Sequence, residues 1–128
     1  VDDWKGLRPL FHDRYLGCAM SNAVEILGGA LCCLRMSGGQ PREAILYAVN
    51  LGRDTDCKAY ISGGLAGALM GSEHVPNEWV ETVDSATQND PWTVSNRTTR
   101  ETAQGLYKAA ITTMNQMKSV VETIEGMI

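Results

Sequence analysis

Two aspartates, Asp54 and Asp56, stand two residues apart in the segment Gly52-Arg53-Asp54-Thr55-Asp56-Cys57, just before an apolar run. Two carboxylates so close together repel each other unless a cation, a shared proton or helix-end amides compensate their charge. Hard oxygen ligands of this kind suit Mg²⁺, Mn²⁺ or Ca²⁺. A simpler interpretation is that one aspartate caps the helix that follows, as Asp often does. The residues alone leave metal binding and capping both open.

The elements on either side of this loop are predicted to be helices. Ser21 or Asn22 is expected to cap a helix that runs to about Met36. This helix is apolar on nearly all sides, which predicts that it lies deep in the core. A second helix opens at Pro41, a position where proline is tolerated, and ends near Gly52.

The helix after the aspartates is predicted to run from about Thr55 to Met70 and is rich in glycine. Gly63, Gly64 and Gly67 interrupt it, and each interior glycine costs about 1 kcal/mol relative to alanine. Close approach of neighbouring helices would compensate that cost. We therefore predict that this helix is the centre of a tightly packed α-bundle and holds the aspartate loop rigid.

The two ends of the chain have different predicted structures. Residues 1–20 are expected to form an irregular opening whose apolar side chains pack against the body. Val75–Val80 predict a turn into a short helix, followed by a polar loop through Asn96. Thr98–Glu101 have the capping-box pattern and start a long last helix with an apolar stripe. With no strand pattern anywhere, the predicted fold class is all-α.

Charge and cysteine content limit the class of function. Eleven basic and 15 acidic residues give a net charge of −4, which offers no basic surface for nucleic acid or anionic lipid. No apolar run reaches the length of about 20 residues that a membrane-spanning helix needs. The 4 cysteines show no zinc-ligand spacing, which favours a reducing, cytoplasmic compartment. Vicinal Cys32 and Cys33 are expected to pack as small hydrophobic side chains.

Three segments together resemble the C-terminal part of the ADP-ribosylglycohydrolase family: Asn50–Cys57, the spaced glycines from Gly63 to Gly71, and Pro76–Trp79. That family includes the enzyme that removes ADP-ribose from dinitrogenase reductase. The resemblance covers roughly residues 15–112. It implies an all-α bundle of the family type with a binuclear Mg²⁺ site, in which Mn²⁺ is an alternative. The implied activity is hydrolysis of the glycosidic bond between ADP-ribose and its acceptor.

The resemblance also implies roles for individual residues. Asp54 and Asp56 match catalytic aspartates that bind the metals. A hydroxyl residue directly after them is a further ligand in the family, and this chain has Cys57 there. A neutral thiol is a poor ligand for Mg²⁺, so a softer ion or a water is the alternative at that position. Arg53 could bind the diphosphate of the substrate through its fork of donors, or could be a solvated loop arginine.

The family's other metal ligands, a hydroxyl residue followed by two aspartates, lie far upstream of this motif. Val1-Asp2-Asp3 lacks the hydroxyl residue and matches that trio only superficially. We therefore expect a fragment in which residues 1–112 form the C-terminal part of the domain. Residues 113–128 would continue the last helix and could contact a partner.

Such a fragment would hold half of a metal site and would be inactive by itself. Its expected partners are the missing N-terminal half of the domain, from the same precursor or another chain, and an ADP-ribosylated substrate or ADP-ribose-like small molecule. The alternative function is a non-catalytic helical module that keeps the fold and binds a ligand or a partner.

Overall fold

The computed structural model describes residues 3–92 and 96–127. Within these ranges the chain forms six α-helices and a short 3₁₀ turn (Ser72–His74), and no strand. The prediction of an all-α fold is confirmed. The helices are α1 (Trp4–Tyr15), α2 (Ala23–Met36), α3 (Pro41–Leu51), α4 (Thr55–Met70), α5 (Asn77–Asn89) and α6 (Thr99–Glu125).

The chain divides into two compact units, Val1–Pro76 and Asn77–Ile128. The first contains α1 to α4 and the second contains α5 and α6. α6 runs without a break from Thr99 to Glu125. The division into residues 1–112 and 113–128 stays a prediction. Within the described ranges, no helix is both long and apolar enough to cross a membrane.

The core of the first unit lies among α2, α3 and α4, with α1 packed against α2 and α3. Small side chains allow this close packing, and Cys33, Ala44, Ala48 and Ala66 are completely buried. The vicinal cysteines pack as predicted, with Cys32 half-buried. Burial, followed by the neighbouring Cys32, raises the pKa of Cys33 to about 11. Cys33 is therefore an unreactive core residue.

α1 replaces the irregular opening that was predicted for residues 1–20, so that prediction is wrong. Asp3 caps the helix, because its Oδ1 accepts a hydrogen bond of 2.9 Å from a backbone amide of the first turn. Pro9 lies inside the helix, where proline removes a backbone hydrogen bond and costs about 3 kcal/mol. Leu7 is buried and Phe11 packs against the same core. Burial of Leu7 contributes about 1.5–3 kcal/mol, and the partial burial of Phe11 adds to it, so that together they offset the cost of the proline.

α2 begins where the sequence predicts but is buried on one face only. Asn22 caps it, since its Oδ1 accepts hydrogen bonds from the backbone amides of Val24 (3.0 Å) and Glu25 (3.2 Å). The prediction that α2 lies deep in the core is wrong. Val24 is 72% exposed and Leu27 50% exposed, whereas Glu25 is fully buried. Apolar content alone does not tell which face of a helix meets its neighbours.

α4 has the predicted limits, but a neighbouring helix comes close to only one of its three interior glycines. A Cβ at Gly63 would lie 2.7 Å from Cγ1 of Ile45 on α3, so the helices do come together there. At Gly64 and Gly67, apart from the adjacent residues and the surrounding backbone of α4, no heavy atom of the described residues lies within 4 Å of such a Cβ. Tyr60 is 83% exposed. α4 therefore packs along α2 and α3 on one side and is open on the other, and is not the enclosed centre of a bundle.

The second unit consists of α5 and the long α6. α5 has 13 residues, more than the short helix predicted. The capping box is confirmed: Thr98 Oγ1 accepts a hydrogen bond from the Glu101 amide (3.1 Å), and Glu101 Oε2 accepts one from the Thr98 amide (2.8 Å). The amide of Thr99 also donates to Oδ1 of Asp84 on α5, at 2.7 Å. Part of the predicted polar loop, residues 93–95, lies outside the described residues. α6 has no buried residue in its described length.

Candidate metal centre

The loop between α3 and α4 turns sharply at two residues with positive φ. Gly52 has φ 92° and ψ −174°, a combination open essentially to glycine alone. Arg53 has φ 59°, the left-handed conformation that costs a residue with a side chain roughly 1–2 kcal/mol. These two residues bring Asp54 to the position directly before α4.

Asp54, Asp56 and Cys57 form the cluster that the sequence predicts. One ligand atom from each of the three side chains lies within 4.8 Å of the other two. Asp54 is half-buried, whereas Asp56 and Cys57 are exposed at the start of α4. The turn and the first turn of α4 thus present two carboxylates and a thiol toward one small volume.

The capping interpretation fits the position of Asp54 but not its side chain. Asp54 stands at the N-cap of α4, yet its side chain makes no capping hydrogen bond. A hydrogen bond between the carboxyl groups of Asp54 and Asp56 is the main cause that lowers the pKa of Asp56, and backbone amides in the first turn of α4 add to it. Backbone amides at the start of α4 thus help to offset the repulsion between the two carboxylates.

Cys57 faces the same two carboxylates. A hydrogen bond to Asp54 is the largest cause that raises the pKa of the Cys57 thiol, and desolvation and the charges of Asp54 and Asp56 act in the same direction. The thiol is therefore held neutral, in the form that is a poor ligand for a hard cation.

Arg53 lies close to this cluster in sequence, but its guanidinium is engaged elsewhere. Its Nε donates to Oε1 of Glu25 at 2.7 Å, and its Nη2 donates to the carbonyl oxygen of Cys18 at 3.0 Å. The side chain is only 18% exposed, so it is not a solvated loop arginine. The hydrogen bond to Glu25 is the main cause that raises the pKa of Arg53. Binding of a substrate diphosphate by Arg53 stays a prediction.

Glu25 and Lys58 are the residues near the loop that sequence reasoning missed. Lys58 Nζ donates to Oε1 of Glu25 (3.0 Å) and to the carbonyl oxygen of Gly52 (3.1 Å). Burial raises the pKa of Glu25, but hydrogen bonds and charges from Arg53 and Lys58 outweigh it and hold that pKa below its usual value. The available signal was a carboxylate in the otherwise apolar first turns of α2 and a lysine directly before the apolar run of α4.

Comparison with known proteins identifies one family that this chain is similar to. The sequence profile of the ADP-ribosylglycohydrolase family matches residues 4–116. ADP-ribosylhydrolase ARH3 of Mus musculus is 35% identical over 49 residues, which are 38% of this chain and 13% of the mouse protein. ADP-ribosylarginine hydrolase Tri1 of Pseudomonas putida (strain GB-1) is 54% identical over 41 residues, 32% of this chain and 11% of that protein.

The human ADP-ribosylhydrolase ARH3 is 33% identical over the same length of 49 residues, which are 14% of that protein. The matched segment therefore spans only a small part of each of these relatives. No solved structure matches the chain.

Proposed function

The chain belongs to the ADP-ribosylglycohydrolase family, and we propose that it supplies Asp54 and Asp56 as ligands to the divalent metal centre of an enzyme that hydrolyses the bond between ADP-ribose and its acceptor. The observation that carries this proposal is the cluster of Asp54, Asp56 and Cys57, whose ligand atoms lie within 4.8 Å of one another. Because the Asp54 carboxylate does not cap α4, it is available to a cation.

The donor set fits Mg²⁺ or Mn²⁺, because carboxylate oxygens are the ligands that these hard cations prefer. When bound, the cations would polarise ribose hydroxyls and activate a water for attack on the anomeric carbon. The residues of this chain hold two carboxylates together at the start of α4. Mg²⁺ takes six ligands, so we propose that the remaining protein ligands, including those of a second cation, come from another part of the family domain.

The acceptor of the ADP-ribosyl group is the part of the reaction that these residues do not define. The Pseudomonas relative is named an ADP-ribosylarginine hydrolase, which makes ADP-ribosylarginine the first substrate to test. ADP-ribosylserine is a suitable comparison, since it differs in the atom bonded to the anomeric carbon.

The test compares Asp54→Asn and Asp56→Asn with a control, Asp13→Asn, because the Asp13 side chain on α1 is 82% exposed. Mg²⁺ and Mn²⁺ are titrated calorimetrically into the chain and into the native polypeptide that contains it. We expect both cluster variants to lose binding and the control to keep it. Changes beside a ligand already cost about 10–100-fold in affinity or activity, so loss of a ligand should reduce release of ADP-ribose by at least about 100-fold.

Two outcomes would contradict the proposal. Undiminished release of ADP-ribose by the Asp54→Asn and Asp56→Asn variants would refute the catalytic role of the cluster. Absence of metal binding in every form would favour the alternative, a non-catalytic helical module that keeps the fold and binds a ligand or partner. Nucleotide binding without hydrolysis would identify that module.

A further inference from the structure

Glu25 on α2 joins the two cationic residues that flank the aspartate cluster in the sequence. Arg53 directly precedes the cluster and Lys58 directly follows it. Arg53 Nε lies 2.7 Å and Lys58 Nζ lies 3.0 Å from the same atom, Oε1 of Glu25. The side chains of Glu25 and Lys58 are 0% and 1% exposed. Both ends of the aspartate loop are thus tied to one buried carboxylate of a different helix.

The same two cations also donate hydrogen bonds to backbone carbonyl groups, one in the loop itself and one between α1 and α2. Lys58 Nζ donates to the carbonyl oxygen of Gly52 (3.1 Å), and Arg53 Nη2 donates to that of Cys18 (3.0 Å). Gly52 and Arg53 are the two residues of the loop with positive φ. The conformation that delivers the aspartates is therefore fixed by hydrogen bonds from charged donors, which are stronger than neutral ones.

The fold makes room for the lysine stem. A Cβ at Gly29, one turn after Glu25 on α2, would lie 2.9 Å from Cε and 3.0 Å from Cδ of Lys58. The ring centroid of Phe11 on α1 lies 6.0 Å from Lys58 Nζ, within the range of a cation–π contact. α1 and α2 therefore both contribute to the burial of this lysine.

Stability alone does not account for this arrangement. Oε2 of Glu25 is buried and has no hydrogen-bond partner among the described residues. A carboxylate that is buried and only partly satisfied is expensive, and an apolar side chain of similar volume often serves stability as well or better. The presence of three charged side chains here is explained by a role in holding a particular conformation.

We propose that Glu25 is a positioning residue, whose carboxylate acts through Arg53 and Lys58 to hold the loop that brings Asp54 and Asp56 together. Its negative charge also balances two positive charges that would otherwise oppose a cation at the cluster. The effect on metal affinity rests on the proposed function. The effect on the loop does not.

The test is ¹⁵N relaxation of Glu25→Gln, with Glu43→Gln as the matched control. Glu43 contacts only its neighbour Arg42 among the ion pairs of the described residues, and its side chain is 39% exposed. In the parent chain, we expect order parameters of residues 53–57 near the rigid value of about 0.85. In Glu25→Gln they should fall below about 0.6, with α3 and the remainder of α4 unchanged, and the control should behave like the parent.

Lys58→Met keeps the buried stem and removes one cation. It is the second variant for testing the positioning role if Glu25→Gln does not fold. It should lower the same order parameters by a smaller amount, since Arg53 still binds Glu25. In whichever form binds Mn²⁺, Glu25→Gln should weaken binding by about 10–100-fold, the range for changes beside a ligand.

Unchanged order parameters at residues 53–57, or an equal loss throughout the first unit, would overturn the positioning role. If the parent binds no Mn²⁺, the proposed function fails, and the relaxation data still decide whether Glu25 holds the loop. A mobile loop in Glu25→Gln with unchanged Mn²⁺ affinity would refute the part of the inference that concerns the metal.

Discussion

Adjacent glycines in α4 should respond in opposite directions to the same substitution. Gly63 and Gly64 both lie in the middle of this helix, so alanine at either position removes the same backbone entropy cost. Their surroundings differ. A new Cβ at residue 63 would lie 2.7 Å from Cγ1 and 2.9 Å from Cδ1 of Ile45. At residue 64, apart from the adjacent residues and the surrounding backbone of α4, it would have no heavy atom of the described residues within 4 Å.

The expected magnitudes follow from these distances. Gly64→Ala should raise the free energy of unfolding by about 0.5–1 kcal/mol, the helix-propensity gain. Gly63→Ala receives the same gain but overpacks the contact with the stiff, β-branched Ile45, which costs about 1–3 kcal/mol. Because the gain cancels in a comparison, the two variants should differ by about 1–3 kcal/mol, with Gly63→Ala the less stable.

The measurement is urea unfolding of the parent and both variants, followed by circular dichroism and compared at equal m-value. Adding Ile45→Val to Gly63→Ala removes the atom at 2.9 Å and should recover part of the loss. The same change added to Gly64→Ala should recover nothing. Equal unfolding midpoints for Gly63→Ala and Gly64→Ala would refute the conclusion that α3 and α4 meet at Gly63.

Two further predictions concern the charged groups. The pKa of Glu25 is lowered from 4.5, so the stability that its ionised form contributes should be fully present above about pH 4.5 and lost as the pH falls through the lowered value. Urea midpoints of the parent, measured from about pH 6 to pH 3, should show this loss. An equal loss in Glu25→Gln would contradict the prediction. Cys57→Ser replaces a soft donor with a hard one and should strengthen Mg²⁺ binding and weaken Cd²⁺ binding, as measured by calorimetry in the form that binds metal. An unchanged ratio of Mg²⁺ to Cd²⁺ affinity would exclude Cys57 as a ligand.

The limits of several helices could be predicted because local chemistry sets them. Asn22 accepts hydrogen bonds from the first turn of α2, and Pro41 stands at the first position of α3. The aspartate cluster was predictable for the same reason, because Asp54, Asp56 and Cys57 lie within one turn of chain. Interactions over a few residues are visible in the sequence.

The features that the sequence did not predict depend on contacts between residues that are distant in the chain. α1 was missed because Pro9 is a local signal against a helix, whereas the packing of its neighbours against α2 and α3 is a tertiary effect. Glu25 pairs with Arg53 and Lys58 across 28 and 33 residues. Charge in an apolar segment shows that something must compensate it, but not which partner does so.

Because Gly29 lies so close to Lys58, the side chains that either position can accept depend on the residue at the other. Any side chain at residue 29 would occupy the space of the lysine stem, where Cε is 2.9 Å from the position of a Cβ. An alanine or serine at this position would displace the outer part of the Lys58 side chain and so disturb its hydrogen bond to Glu25. Substitution libraries for the aspartate loop should therefore vary residues 29 and 58 as a pair, although they lie on different helices.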